Sequence, residues 1–282
     1  MLLGSHLSIA GGLENAMVSA REFGFEAVAL FVRNQRRWAA KPLEDSQVDT
    51  FVAARAECGV RVVVAHGSYL LNLASPKPDS RRKSIDGLAE DLTRCTRLGI
   101  DYLVFHPGSN PDRAEGIAGI IAGIDEAMTL ADPTTMLLLE TTAGQGNCIG
   151  YRFEDLAEIR AGVAAPGTLG VCLDTAHIFA AGYDIRTAET YAETMAEFDR
   201  VIGIEHLKAV HCNDSLKDFA TRVDRHAHIG QGKIGIEAFR QLVNDARLAA
   251  VPLILETPKD QTPDGEDYDF VNKRVLESLH CV

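Results

Sequence analysis

Six short apolar, β-branched runs in this chain each finish on an imidazole or a carboxylate. His66 closes RVVVAHGS, His106 closes YLVFHPG and Glu140 closes MLLLET. Asp174 closes LGVCLDT, His211 closes LKAVHCND and Glu256 closes PLILET. Two further runs of the same kind are LLGSHLSI, which contains His6, and AVALFV, which is followed at short range by Asn34 and Gln35. Core packing does not account for such a series, because a buried carboxylate is costly unless it is paired or bound to a cation. Nitrogen and oxygen donors without thiolate suit zinc, manganese or iron, and a histidine-rich set favours zinc.

Two local clusters add donors. In LDTAH, His177 stands three positions after Asp174 at a strand-to-loop turn. In VDRHAH, Asp224 and His226 alternate, so both face one way if the segment is extended, and His228 is expected to join them by the same alternation. His66, His106, Glu140, Asp174, His177, His211, Asp224, His226 and Glu256 are too many donors for one tetrahedral ion with an open position, so two or three ions are expected. Clustered divalent ions activate water and clamp both oxygens of an in-line displacement. Three such ions over four carboxylates leave a formal positive excess even with a hydroxide present, which fits a phosphodiester better than a neutral sugar.

These residues need a scaffold that brings many strand ends to one place. The apolar runs at 2–9, 27–32, 61–68, 102–108, 136–141, 169–175, 207–214 and 252–257 alternate with eight stretches of helical spacing, several ending at glycine. Near-continuous apolarity suits strands covered on both faces. Eight strands alternating with eight helices predict a single (β/α)₈ TIM barrel over residues 1–282, with its chemistry at the C-terminal face of the strands. Neither G-x-G-x-x-G opening a helix nor G-x-x-x-x-G-K-[ST] occurs, so dinucleotide and P-loop chemistry lose support. The connection after 207–214 is too long for a routine loop.

Composition is ordinary for a soluble protein, with 46% hydrophobic and 24% charged residues. No leader pattern or membrane-length apolar stretch is present, and a cytoplasmic monomer is expected. The six cysteines, with no C-x-x-C pair, are expected to be reduced. A net charge of −12 opposes non-specific attraction to nucleic acid, leaving two local basic clusters, Arg33/Arg36/Arg37 and Lys77/Arg81/Arg82/Lys83, to act against it.

The segments GSHLSIAGGLENA, FVRNQRRW, HGSYLLNLASP, FHPGSN, LLETTAGQGN, GVCLDTAHIFAAGYDIRT, HCNDSLKDFATRVDRHAHIGQGKIG and LILETP, in this order, resemble the endonuclease IV-type apurinic/apyrimidinic endonucleases of base excision repair. The resemblance covers nearly the whole chain and implies a TIM barrel with three zinc ions. His66, His106 and Glu140 would hold one ion, with Glu140 bridging to a second held by Asp174, His211 and Glu256. His177, Asp224 and His226 would hold the third. A hydroxide between the first two would attack the phosphorus 5′ to an abasic site in double-stranded DNA, leaving a 3′-hydroxyl and a 5′-deoxyribose phosphate, and damaged 3′ ends would be trimmed. Glu256 would orient or deprotonate the water. Asn34, Gln35, Arg36, Tyr69 and Leu70 match the loops that enter the duplex, and His6 would face DNA or the groups around the ligands. His206 and His280 are read as ordinary surface or packing residues.

Two other readings compete. A divalent-metal sugar isomerase or epimerase on the same barrel would use Glu140, Asp174, His211 and Glu256 but leave His66, His106 and the Asp224/His226 pair idle. A non-catalytic lesion- or metal-binding module leaves the complete donor set unexplained.

Overall fold

The computed structural model describes residues 1–281; Val282, the last residue of the expected domain, lies outside them. Eight parallel strands close a barrel in sequential order: β1 Leu2–His6, β2 Ala27–Phe31, β3 Val62–His66, β4 Tyr102–Phe105, β5 Met136–Glu140, β6 Leu169–Asp174, β7 Leu207–His211 and β8 Pro252–Leu255. Closure is made by β1 on β8, in the register Leu2 to Pro252 and Ser5 to Leu255. The strands are shorter than the apolar runs suggest, because the polar end of each run bends into the barrel mouth. His106 and Glu256 thus lie one residue beyond β4 and β8.

The helices are α1 Asn15–Phe23, α2 Asp45–Cys58, α3 Pro78–Leu98, α4 Arg113–Ala131, α5 Phe153–Gly162, α6 Thr175–Ala181, α7 Ala188–Val201, α8 Ile236–Asn244 and α9 Tyr268–Leu279. α1 and α3 end as expected at Gly24 and Gly99, with φ of 68° and 65°. α6 is an addition to the eight helices expected. Asp174 caps it, accepting the His177 amide at 2.8 Å, so the chain passes from β6 directly into a helix. None of the helices among the described residues is long and apolar enough to cross a membrane.

Period-two alternation divides the core into two shells. Side chains facing out from the strands pack beneath the helices, as do Val63, Leu103 and Leu139. Those facing in form a separate layer of Ala27, Ala29, Val64, Val104, Leu138, Cys172, Ala209 and Ile254. Two residues further along six of these strands come His66, His106, Glu140, Asp174, His211 and Glu256. The polar cluster is therefore the next inward layer above an apolar plug, and the plug seals it from the far end of the barrel.

Candidate metal centre and active site

Eight of the nine donors form three groups within which the candidate ligand atoms lie no more than 4.8 Å apart: His66/His106/Glu140, Glu140/Asp174/His211/Glu256 and Asp174/His177/His226. The ninth, Asp224, faces the third group, with Oδ2 3.2 Å from His177 Nε2 and Oδ1 3.3 Å from His226 Nε2. Glu140 stands between the first two groups. Its Oε2 lies 3.1 Å from His66 Nε2 and 2.9 Å from His106 Nε2, while Oε1 lies 2.8 Å from His211 Nδ1. Asp174 leans both ways, with Oδ2 3.6 Å from His226 Nε2.

The ring orientations define what can fit between these atoms. Nδ1 of His66 lies 2.8 Å from the Gly67 carbonyl, that of His177 2.8 Å from the Thr141 carbonyl and that of His226 3.1 Å from the Glu256 carbonyl. A carbonyl only accepts, so each Nδ1 carries a proton, and each ring is left with Nε2 facing carboxylate oxygen. Two acceptors that close repel unless a proton or a cation lies between them. For His177 and His226 the buried Nε2 has no hydrogen-bond partner despite the nearby Asp224 oxygens, which are misaligned for such a bond. Nitrogen and oxygen donors converging on shared points, each imidazole fixed from behind by a carbonyl, suit a divalent cation.

Charge follows the same pattern. Burial would raise the Glu140 carboxyl, but the imidazoles of His106 and His211 outweigh it and hold it well below the usual carboxylate range. Burial likewise opposes charge on His226, yet Asp174 and Asp224 lift it to about 9. Burial pushes the neighbouring Cys172 thiol up to about 12, so it supplies no thiolate and the donor set stays nitrogen and oxygen.

A set of buried side chains unmarked in the sequence as donors holds the cluster. Asn213 donates to Asp174 Oδ2 at 2.8 Å and accepts the Glu256 amide at 2.8 Å, tying β6 to the end of β8. Its only sequence signal is its place in the polar tail of LKAVHCND. His6 Nδ1 lies 3.0 Å from Glu256 Oε1, and its ring sits 4.5 Å from that of Phe31. A cavity of 390 Å³ opens beside them, lined in part by Gln35, Tyr69, His226 and Lys259. A second, of 250 Å³, lies beside His66, His106 and Cys148, and Tyr69 borders both.

The structure corrects two expectations. His228 does not join Asp224 and His226. Its Nε2 lies 3.0 Å from Asp260, its Nδ1 lies 3.2 Å from Asn272 Nδ2, and its ring stacks on Tyr268 at 3.6 Å. The short ladder of Asp214–Ser215 with His226–Ala227 ends here, so the alternation does not run on to residue 228. Nor are the basic clusters free positive faces. Arg33 is only 6% exposed and pairs with Asp91, Arg82 pairs with Asp86 and Glu126, and Arg81 donates to the Ser75 carbonyl. Asn34, Arg36 and Arg37 remain exposed, as do Lys77 and Lys83, while Gln35 and Leu70 are half-buried and Tyr69 is 61% exposed.

A closed parallel barrel with a polar donor layer at its mouth defines a class, and a profile of the family described as xylose isomerase-like TIM barrel matches residues 18–274. Within that class, the chain is 49% identical to a probable endonuclease 4 of Chloroflexus aggregans, over 98% of this chain and 96% of that one. It is 43% identical to a probable endonuclease 4 of Geobacter sulfurreducens, over 98% and 94%. The crystal structure of endonuclease IV from Thermus thermophilus superposes with a TM-score of 0.88 at 38% identity, over 99% and 98%. A D-tagatose 3-epimerase-like protein shares the fold at a TM-score of 0.75 but only 22% identity. The chain belongs to the endonuclease IV family of apurinic/apyrimidinic endonucleases, and it is a DNA-repair hydrolase.

Proposed function

We propose that this chain, a single-domain cytoplasmic monomer, hydrolyses the phosphodiester 5′ to an abasic site in double-stranded DNA. The products are a 3′-hydroxyl and a 5′-deoxyribose phosphate, and the same site trims blocked 3′ ends. The observation that carries this reading is the convergence of imidazole nitrogens and carboxylate oxygens on three points around Glu140, Asp174 and Asp224. Bound zinc would supply positive charge for the phosphate and make water nucleophilic at neutral pH. Manganese or iron would suit some of the same donors.

The roles of the residues follow from their places. His66, His106 and Glu140 form the first holding group, and Glu140, with one oxygen toward each side, is shared with Asp174, His211 and Glu256. The Glu256 carboxylate is the proposed proton acceptor. Its Oε1 is taken by His6, and its Oε2, 3.2 Å from His211 Nδ1, stays on the donor side, where an attacking water would need a base. His177, Asp224 and His226 sit beside Asp174, at the end proposed to receive the departing 3′ oxygen. Asn34, Gln35, Arg36, Tyr69 and Leu70 rim the mouth and are proposed to enter the duplex, where a missing base has removed part of the stacking that opposes extrusion.

The test is a duplex carrying one tetrahydrofuran abasic analogue, incubated with protein whose metal content is measured in the same sample. A nick on the 5′ side leaving a 3′-hydroxyl, with three ions per chain, is expected. Inactivity of fully loaded protein on that duplex would sink the proposal. The epimerase alternative, supported by fold alone, requires one ion per chain and turnover of a ketose.

A further inference from the structure

The loop after β2 and the loop after β3, which carry Asn34–Arg36 and Tyr69–Leu70, meet at one buried hub on α3. Arg33 turns inward from the first loop and pairs with Asp91 through Nε and, at 3.2 Å, through Nη2. Its remaining nitrogen, Nη1, holds the loop's own backbone, donating to the Arg37 carbonyl at 2.9 Å and the Trp38 carbonyl at 3.1 Å. Nη2 also donates to the Gly87 carbonyl at 3.3 Å. On the second loop, the Ser68 amide faces the same Asp91 carboxylate and favours its charged form against the burial that raises it. The Ser68 hydroxyl then crosses between the loops, donating to the Gln35 carbonyl at 2.8 Å and receiving the Leu70 amide at 3.2 Å.

The fit at the hub is close. A β-carbon at Gly87 would lie 3.2 Å from Arg33 Nη2 and 3.1 Å from Leu71 Cδ2, so the bare helix face at this position lets both loop roots settle on α3. Arg33, Asp91 and Ser68 are all buried, and neither cation nor carboxylate is left unpaired. Removed from solvent and satisfied at several atoms, such a network holds its members in one arrangement. The exposed ends of the loops, Arg36 and Tyr69, thus rise from one fixed base.

We propose that Arg33, Asp91 and Ser68 are positioning residues that make the two loops a single rigid wedge for the abasic gap, with Ser68 as the strut between them. The inference rests on the proposed reading that both loops enter abasic DNA. A wedge ordered before binding loses less conformational entropy in the complex than two loops that order separately, which favours affinity without any contact from the hub to DNA. Ser68 itself lies beneath Gln35 and touches none of the nine donor side chains through its hydroxyl.

The metal-loaded enzyme provides the test, with affinity taken from the concentration dependence of single-turnover incision of the tetrahydrofuran duplex. Ser68→Ala removes one hydrogen-bonding group and is expected to weaken affinity about fivefold, with metal content and the saturating rate unchanged. Arg36→Ala and Tyr69→Ala are each expected to weaken binding. Combined in the otherwise native chain, their effects should fall short of the product of the two by about fivefold, because residues sharing a network are coupled. In a Ser68→Ala background the two effects should multiply. Weakened single variants whose effects multiply already in the native chain would overturn the strut, as would native affinity in Ser68→Ala. Unchanged affinity in both Arg36→Ala and Tyr69→Ala would overturn the reading of the loops and the inference with it.

Discussion

At the scale of single residues, Glu140 is the shared point of the site, since its two oxygens serve different imidazoles. Glu140→Gln keeps the shape and removes the charge. It is expected to cost more than the about 100-fold typical of an outer partner, with fewer ions retained by elemental analysis. Full incision at an unchanged metal count would remove the bridging role. Asn213→Ala leaves every donor in place but frees Asp174 Oδ2 and the Glu256 amide, and should lower metal affinity by about 10- to 100-fold, read by competition with a chelating dye. The nine donors are legible in the sequence because their chemical types, repeated at apolar run ends, are improbable as packing. Asn213 and Arg33 are not. An asparagine among polar neighbours carries no sign of burial, and an arginine near two others reads as surface until a carboxylate 58 positions away is found beside it.

At the scale of elements, β-strand alternation explains why the site is readable at all. An apolar residue facing into the barrel places the residue two further on in the mouth, so Leu138 predicts the direction of Glu140 and Ile254 that of Glu256. Strand order is equally legible, because parallel strands joined by helices close in sequence. The short helix α6 is not. Asp174 reads from the sequence only as a donor, while it also caps the helix that returns His177 over the strand ends. His228 misleads for a related reason: its partners Asp260, Tyr268 and Asn272 come from beyond β8 and are silent in the local pattern. A stability test belongs here. Asp91→Ala would strand Arg33 without its counter-charge between α3 and the two loops, and urea unfolding should report a loss of about 3–5 kcal/mol. A loss near zero would show that water already solvates the pair.

At the scale of the whole molecule, the chain carries a net charge of −12 and must approach a polyanion. With Arg33 buried, Arg81 held by the Ser75 carbonyl and Arg82 paired at the surface with Asp86 and Glu126, few cations are left for phosphate. If about three phosphates are contacted, affinity for abasic duplex should fall about 40-fold between about 50 and about 200 mM salt, a shallow dependence for a DNA-binding protein. A much steeper slope in a salt titration would show that more basic residues reach the backbone.

The connection carrying Asp224 is joined to the barrel mouth by a ladder only two residues long on each side and by two amides, those of Ala220 and Arg222, which donate to the Phe179 and Ala180 carbonyls of α6. Asp214 gathers the amides of Ser215, Gly232 and Ile234, but none of these bonds is to residues 217–225. The Asp224 side chain is 40% exposed, whereas Glu140 and Asp174 are sealed. Opening this segment therefore disturbs less structure than opening any strand end. Ion release should be stepwise, with the position shared by His177, Asp224 and His226 emptying before the pair around Glu140. Time-resolved chelation should give a fast phase of one ion, accompanied by faster amide exchange across residues 217–225, and then a slow phase of two.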